Sequence, residues 1–410
     1  MENKELIPHL FRTEYRKIVS VLCKYFGLQQ MEIAEDIVSD TFLTAAETWG
    51  LHQIPANPSA WLYSVAKNKA KNYLHRLSHF ENKISKDLMQ AANSENVEVD
   101  LSPQNINDSQ LQMLFAICHP SISADAQVGL ALRILCGFGI DEIADAFLTN
   151  KENINKRLFR AKEKLRDENI KMEMPPPSEI DKRLETVLTT IYLLFSEGYY
   201  STSQQNIIRK ELCLEAMRLC YMLVEEKSTN KPEVNALLSL MCFHASRLDA
   251  RINDKGELVL YQEQDASMWD SDLIRKGEYF LNCAATGNKL SKYHLEAAIA
   301  YWHTHQEDTH EKWENILQLY NQLLVLEYSP IAALNRTYAL SKANGKMEAI
   351  IEAEKLKMTD SHLYYTLLGE LYSGVDNRKA KLHFDKAISM ARTQAEKQKL
   401  REKIEQLTLQ

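Results

Sequence analysis

The sequence is poor in the two residues on which turn-rich folds depend. Only 12 Gly and 10 Pro occur among 410 residues. Sandwiches and barrels join many short strands through Gly- and Pro-containing turns, so this scarcity argues against them. Long stretches with apolar residues at helical spacing are present instead. We therefore predict an all-α protein.

Paired cysteines and membrane-length apolar runs are also missing. No two of the seven Cys have C-x-x-C spacing, which argues against a zinc site and a disulfide framework. We expect no metal and no cofactor. No uncharged apolar run approaches the length of a membrane-spanning helix, and no signal peptide precedes the first helix. The expected location is the cytoplasm, without a membrane partner.

Acidic residues are absent from one long segment, although the chain as a whole carries a net charge of −7. No Asp or Glu lies between Thr48 and Phe80, where Lys67, Lys71 and Arg76 occur. The segment 151–168 is also basic, with seven Lys or Arg against four Asp or Glu. Local excess of cations matters more for nucleic-acid binding than the total charge.

Residues 139–166 have the pattern of a helix-turn-helix. A short apolar stripe from Ile140 to Phe147 is followed by a break at 148–150 and by a longer helix with a basic, amide-rich face. Phosphates need cations, and base edges need Arg, Lys, Asn or Gln. Asn150 is predicted to take the left-handed conformation in a turn that has no Gly. The predicted buried side of the second helix is Ile154, Leu158, Ala161 and Leu165. The pattern equally fits an ordinary amphipathic helix pair with a solvated basic face.

Two further helices are predicted before residue 80. The helix at 34–49 places Glu35, Asp36 and Asp40 on one exposed face, which is either simply solvated or a docking face for a basic partner. The helix at 60–76 mixes cations with Trp61 and Tyr73. Aromatic rings among cations suit unpaired bases, but Trp61 equally fits the core and Tyr73 fits it better.

Three segments in order, AEDIVSDTF, PSAWLYSVAKNKAKNYLHR and RLFRAKEKLR, resemble region two and region four of bacterial extracytoplasmic-function (ECF) sigma factors. The resemblance covers about residues 5–172. It implies two small helical domains, the second a helix-turn-helix, at 1–80 and 111–173. The turn FLTNKEN lacks the Gly and Pro frequent in the family, and the second helix begins Asn-rich rather than Arg-rich, so the bases it reads are left open.

The resemblance also implies partners, namely the β′ clamp helices and β flap of core RNA polymerase and the promoter DNA. The polymerase-binding residues it implies are Glu35, Asp36 and Asp40. Those implied for reading and melting the −10 element are Asn57, Trp61, Lys67, Asn68, Lys71, Asn72 and Arg76. Those implied for the −35 element are Lys151, Glu152, Asn153, Asn155, Lys156, Arg157 and Arg160.

Two linkers are predicted from composition. Residues 81–110 are acidic and poor in large apolar side chains, which indicates a flexible linker, either a passive tether or, from the resemblance, a segment that threads the polymerase. Leu111–Leu135 then resumes helix. Residues 174–180 contain three consecutive prolines, which cannot continue a helix. We place the boundary of a second body, 181–410, there.

The second body resembles the long C-terminal extension of one ECF subgroup. Leu368, Gly369 and Tyr372 have the L-G-x-x-Y spacing of a tetratricopeptide helix, and Ala380, Phe384 and Ala387 fit the next helix. We predict a larger, tetratricopeptide-like helical domain whose groove binds a protein or peptide.

An enzyme site in this body is a weaker interpretation. Carboxylates at 263–272 and several histidines lie near each other in sequence, but no metal or nucleophile spacing is matched. Asp265 and Asp270 are instead expected to cap helices or to pair with Arg247 and Arg251.

The sequence thus favours a transcription initiation factor that is not an enzyme, whose C-terminal half regulates or assists it. The alternative is a helical-repeat adaptor or ligand-binding protein whose N-terminal half no longer initiates transcription.

Overall fold

The computed structural model describes residues 3–51, 53–84, 99–147, 149–199, 210–251, 259, 261–391 and 394–409. These residues form helices, turns and irregular segments without a strand, so the prediction of an all-α protein is confirmed. The chain divides into two compact units. The first comprises Met1–Val234 and Ile252–Val259, and the second comprises Asn235–Arg251 and Leu260–Gln410.

The first unit contains nine complete helices within its described residues, and a tenth begins in it. A π-helical turn at Ala131–Leu135 continues the fifth helix. The nine are α1 (Asn3–Phe26), α2 (Met31–Leu51), α3 (Pro58–Ile84), α4 (Pro103–Ile117), α5 (Ala124–Leu130), α6 (Ile140–Ala146), α7 (Lys151–Asp167), α8 (Pro177–Tyr199) and α9 (Lys210–Glu225).

Aromatic side chains join α1, α2 and α3. Phe11 of α1 meets Phe42 of α2 edge-on with ring centroids 5.0 Å apart. Phe26 at the end of α1 meets Tyr73 of α3 at 5.6 Å. The Tyr73 hydroxyl also donates to Gln30 Oε1 at 3.3 Å. Tyr73 therefore serves the core of this three-helix group, as its apolar spacing predicted.

The acidic linker predicted at 81–110 is helical over much of its described length. The helix α3 continues to Ile84, and α4 begins at Pro103 rather than near Leu111. The Ser102 side chain accepts a hydrogen bond from the Asn105 backbone N–H, and Pro103 occupies the first helical position. These are strong helix-start signals that the acidic composition obscured. Residues 85–98, in the middle of the predicted linker, lie outside the described residues.

The proline-rich segment at 174–180 starts a helix but does not separate the two units. Pro177 is the first residue of α8, where a proline loses no intrahelical hydrogen bond. The Arg183 side chain donates to the Phe115 backbone oxygen of α4, and Thr190 donates to Gln127 Oε1 of α5 at 2.9 Å. The helices α8 and α9 thus pack with the preceding helices, and the predicted boundary is wrong because an amphipathic helix follows the prolines.

The second unit is built of helices that pack against their neighbours in sequence. Its buried core runs from Leu295 to Leu407. The helices of this unit are α10 (Pro232–Ala245, which begins in the first unit), α11 (Ser271–Ala284), α12 (Lys292–Trp302), α13 (His310–Leu326), α14 (Pro330–Ala343), α15 (Lys346–Leu356), α16 (His362–Tyr372), α17 (Asn377–Met390) and α18 (Gln394–Leu409).

A close helix contact in this unit lies where the tetratricopeptide spacing was recognised. The residues Leu368, Gly369 and Tyr372 of α16 are buried, as are Ala380 and Phe384 of α17. A Cβ atom on Gly369 would lie 2.5 Å from the Phe384 ring. The spacing therefore identified the contact, while the tetratricopeptide class itself stays a prediction.

This contact predicts the effect of a single methyl group. Gly369→Ala forces Phe384 away from its position, and we expect it to destabilise the second unit by about 1–3 kcal/mol. Thermal unfolding, together with amide hydrogen exchange in α16 and α17, measures the loss of stability. Gly50→Ala in α2, where a Cβ meets nothing within 4 Å, is the control and should be neutral or slightly stabilising. An unchanged α16 would mean that Gly369 is not a packing requirement.

Candidate nucleic-acid interface

The second helix of the predicted pair, α7, is capped at its first turn. Asn150 accepts a hydrogen bond from the Asn153 backbone N–H at 2.8 Å. Its backbone is extended, with φ −102° and ψ 160°, so the predicted left-handed conformation is wrong. An extended backbone is what an N-cap requires, and it lets the amide oxygen reach the free N–H groups of α7.

The two faces of α7 differ sharply. The predicted buried stripe of Ile154, Leu158, Ala161 and Leu165 is confirmed, since all four side chains are buried. The opposite face carries the residues predicted to meet DNA. Of these, Arg157 is half-buried and the exposed ones are Lys151, Glu152, Asn153, Asn155, Lys156 and Arg160.

The ion pairs of this face are local. Lys151 pairs with Asp141 of α6 at 2.5 Å, and Lys156 pairs with Glu152 one turn away at 2.6 Å. Such exposed pairs contribute little stability and exchange readily for other anions. Arg157 lies over the Phe147 ring at 5.0 Å and 3.8 Å from Asp125. The exposed Lys151 and Lys156 can therefore exchange their partners for a phosphate, whereas the half-buried Arg157 is held by Phe147 and Asp125.

The helix α3, which has no acidic residue before Glu81, presents a second polar face. Lys71, Asn72 and Arg76 are exposed, Asn68 is exposed, and Lys67 is half-buried. The neighbouring Lys69 is paired with Asp40 of α2 at 2.5 Å. These side chains form a cationic and amide-bearing surface on one helix, as required for contact with a nucleic-acid backbone.

Two other predicted residues of this surface have structural partners. Trp61 is half-buried and meets Trp49 edge-on with centroids 5.3 Å apart, so part of its ring belongs to the core. Asn57 is exposed, and its Oδ1 accepts a hydrogen bond from the Ala60 backbone N–H at 3.0 Å at the start of α3. Their base-contacting roles stay predictions.

The acidic face predicted on α2 is only partly exposed. Asp36 and Asp40 are exposed, but Glu35 retains 8% of its surface, and its placement on the exposed side is wrong. Its carboxylate accepts hydrogen bonds from the Tyr15 hydroxyl at 3.2 Å and from Arg133 Nε at 3.1 Å. Lys162 Nζ of α7 donates to its second oxygen.

Glu35 therefore joins three parts of the first unit, and we call Glu35, Tyr15, Arg133 and Lys162 the Glu35 cluster. Burial and the neighbouring carboxylate raise the pKa of the Tyr15 hydroxyl far above its usual value, so it remains a donor. Arg133 also lies over the Tyr15 ring at 5.4 Å. Sequence reasoning missed Arg133 and Lys162, because nothing local links them to a carboxylate about a hundred residues earlier.

A second set of ion pairs connects α1 to α6 and α9. Arg12 of α1 pairs with Glu142 of α6 at 2.8 Å and lies 3.6 Å from Glu211 of α9. Arg16 of α1 pairs with Glu215 of α9. Arg218, on the next turn of α9, pairs with the same Glu215 at 2.7 Å. The α8–α9 segment thus touches the group α1–α3 as well as the helices that follow it.

Comparison with known proteins supplies the context of these surfaces. An uncharacterized protein of Rhizobium meliloti (strain 1021) is 30% identical over 395 residues, which cover 95% of this chain and 93% of that protein. The chain belongs to the same family as this protein. Residues 10–80 match sigma-70 region 2, and residues 183–285 match a family of unknown function (DUF6596).

Curated sigma factors match the N-terminal part. The ECF RNA polymerase sigma-E factors of Salmonella typhimurium (strain LT2) and Escherichia coli (strain K12) are each 26% identical over 152 residues, which cover 36% of this chain and 78% of theirs. No solved structure matches the chain. The region 2 match contains α2 and most of α3, so both the acidic and the cationic helix lie in a sigma-70 domain.

The arrangement of ligand-type side chains and the apolar length of the helices were the remaining features predicted from the sequence. Within the described residues, no group of three or more His, Cys, Asp or Glu is arranged to hold a metal ion. Over the same part of the chain, no helix is long and apolar enough to cross a membrane.

Proposed function

We propose that the chain is a sigma factor of the ECF type, which binds core RNA polymerase and directs promoter recognition, melting and transcription initiation. The observation that carries the proposal is the exposure of two cationic helix faces, on α3 within the region 2 match and on α7. On α7 the apolar stripe anchors the helix, while Lys151 and Lys156 of the polar face form exposed ion pairs with nearby acids.

Each surface then has a role. The exposed face of α3, with Lys71, Asn72 and Arg76, contacts the −10 element and the single strand opened there. The face of α7 enters the major groove at the −35 element. The acidic residues of α2 face the polymerase clamp. Asp36 is exposed in the structure, whereas Glu35 can contact the polymerase only after its bonds to Lys162 and Arg133 break.

The α8–α9 segment regulates this activity. It contacts α1 through Arg16 and Glu215 and contacts α4 and α5 through Arg183 and Thr190. A promoter presents its two elements at separate points. The helices that read them, α3 and α7, therefore have to move apart, and the contact between α7 and α2 has to break. The second unit contributes a helical surface for a protein or peptide partner.

Transcription with reconstituted polymerase tests the proposal. The full chain, added to core polymerase, should start RNA synthesis at promoters of its own genome, and mapping the starts should reveal paired −35 and −10 elements. A chain that fails to bind core polymerase in a pull-down would instead be an adaptor that retains the sigma fold. Lys381→Ala, an exposed substitution in α17, is the matched control and should change nothing.

Two substitutions on α7 should have different signatures. Arg160→Ala removes an exposed cation, so we expect weaker binding to all promoter variants and a salt dependence reduced by about one phosphate contact. Asn153→Ala removes a side chain at the N-terminal end of α7, where base edges are read, and should change the preferred −35 bases, at about 1–3 kcal/mol per base pair. A binding series across −35 variants and salt concentrations measures both. Equal effects on all sequences from both substitutions would contradict the assignment of Asn153.

A further inference from the structure

Two buried cations share one aromatic cluster in the second unit. Arg247 is 7% exposed and Lys312 is 2% exposed. The Arg247 guanidinium carbon lies 5.2 Å from the centroid of the Tyr261 ring, and Lys312 Nζ lies 5.6 Å from the same centroid. Trp269 stacks on Tyr261 with centroids 6.2 Å apart, and His303 meets it edge-on at 5.1 Å. We call these five residues the Tyr261 cluster.

Among the described residues, no acid forms an ion pair within 4 Å with either cation of the cluster, although Asp308 acts on Lys312 at longer range. Lys312 Nζ donates to the His305 backbone oxygen at 2.7 Å and to the Tyr261 hydroxyl at 3.3 Å. Arg247 contacts the Tyr261 and Trp269 rings and lies 3.4 Å from His244 Nδ1. Buried charges in proteins are normally paired, so two of them without an acid in direct contact call for an explanation.

Three carboxylates close to the cluster in sequence form their hydrogen bonds with other groups. Asp308 accepts hydrogen bonds from Trp313 Nε1 and from Lys342 Nζ at 3.0 Å. Asp265 accepts from the Ser267 backbone N–H, and Asp270 accepts from two backbone N–H groups at the start of α11. The prediction that Asp265 and Asp270 cap helices is thus confirmed, and their capping leaves Arg247 without them.

Three nitrogen atoms of the cluster are buried and have no hydrogen-bond partner within the part of the chain that the structure describes. They are Arg247 Nε, Trp269 Nε1 and His303 Nδ1. The first two can only donate. Burial lowers the pKa of His303 to about 3, with Arg247 and Lys312 adding to the effect, so its ring is neutral. Stacking on aromatic rings accounts for the positions of the cations, but it gives these donors no acceptor.

We propose that the Tyr261 cluster binds the carboxylate group of a small anion. The carboxylate accepts hydrogen bonds from Arg247 Nε and Trp269 Nε1, and Lys312 supplies the second positive charge. A carboxylate provides acceptor oxygens for these two donors and a negative charge in direct contact with the cations. A phosphate has three terminal oxygens and would require more donors than the two that the cluster leaves unpaired.

The indole N–H of Trp269 allows a direct test in the full chain. The protein has five Trp, so labelling them with ¹⁵N gives five indole signals, and Trp269→Phe identifies the one of interest. We titrate acetate at constant ionic strength, maintained with chloride, and expect that signal to shift to saturation. Arg247→Gln should weaken acetate binding by about 10- to 100-fold, the effect of losing a hydrogen bond between charged groups.

The controls distinguish a built site from general anion effects. Arg275→Gln removes an exposed cation of α11 that pairs with Asp272, and it should leave the titration unchanged. A missing saturable shift, or the same shift in Arg247→Gln, overturns the proposal. Phosphate acting at lower concentration than acetate overturns the carboxylate assignment. If Arg247→Gln loses its dispersed spectrum, Arg247→Lys serves instead, because it keeps the charge without Nε. Arg247→Lys should bind acetate about tenfold more weakly than the unsubstituted protein, and equal binding would overturn the proposal.

Discussion

A chain that ends at Pro176 should fail to fold cooperatively, whereas a chain that ends at Asn230 should keep the fold of the first unit. The truncation at Pro176 removes α8, whose buried residues include Leu184, Leu188 and Ile191. It also removes the hydrogen bonds that α8 gives to α4 and α5. Each fully buried leucine-sized side chain contributes about 1.5–3 kcal/mol, and a whole domain is stable by only about 5–15 kcal/mol.

The measurement is a comparison of the two truncated chains by thermal unfolding and by binding of a dye that reports exposed apolar surface. The chain ending at Pro176 should bind the dye and melt without a sharp transition. The chain ending at Asn230 stops in the segment between α9 and α10 and retains the Arg16–Glu215 pair. A cooperative transition in the shorter chain would show that α8 and α9 are dispensable for the fold of the preceding helices.

Sequence patterns predicted the buried face of α7 but not the boundary of the first unit after α9. The apolar period of α7 placed Ile154 and Leu158 in the core correctly, because helical spacing decides which side chains share a face. The three prolines were equally visible, but a proline at the first helical position starts a helix as readily as it ends one. Whether α8 belongs to the preceding or the following unit depends on packing between segments far apart in sequence.

The same limit applies to the candidate site. The exposed cations of α3 and α7 could be named in advance, because a polar face opposite an apolar stripe is exposed whatever the stripe packs against. Glu35 could not be distinguished from Asp36, its neighbour on the helix, without knowing that Arg133 and Lys162 approach that position. The Tyr261 cluster likewise combines residues from 247 to 312 that share no sequence motif.

Glu35→Gln should destabilise the first unit while Asp36→Asn should not. Glu35 is the carboxylate that faces both Arg133 and Lys162, whose side chains are 20% and 13% exposed. Removing its charge leaves two cations facing each other with their acid gone. We expect a loss of about 3 kcal/mol, at the lower end for breaking a buried ion pair, because these side chains retain some contact with water. Asp36 is exposed, and its replacement should stay within about 0.5 kcal/mol.

Binding to core polymerase should depend on Asp36, although the stability of the first unit depends on Glu35. If α2 docks on the polymerase, Asp36→Asn weakens the pull-down without lowering the melting temperature, since it changes only an exposed charge. Lys162→Ala frees one oxygen of Glu35 and loosens the contact between α2 and α7, so it should strengthen polymerase binding by up to about 100-fold, the range of typical coupling free energies. The double substitution Glu35→Gln with Lys162→Ala measures their coupling, which should be about 0.5–3 kcal/mol for groups in direct contact. Additive effects would mean that the Glu35–Lys162 pair does not stabilise the contact between α2 and α7. Weaker polymerase binding by Lys162→Ala would show that this contact does not compete with the polymerase.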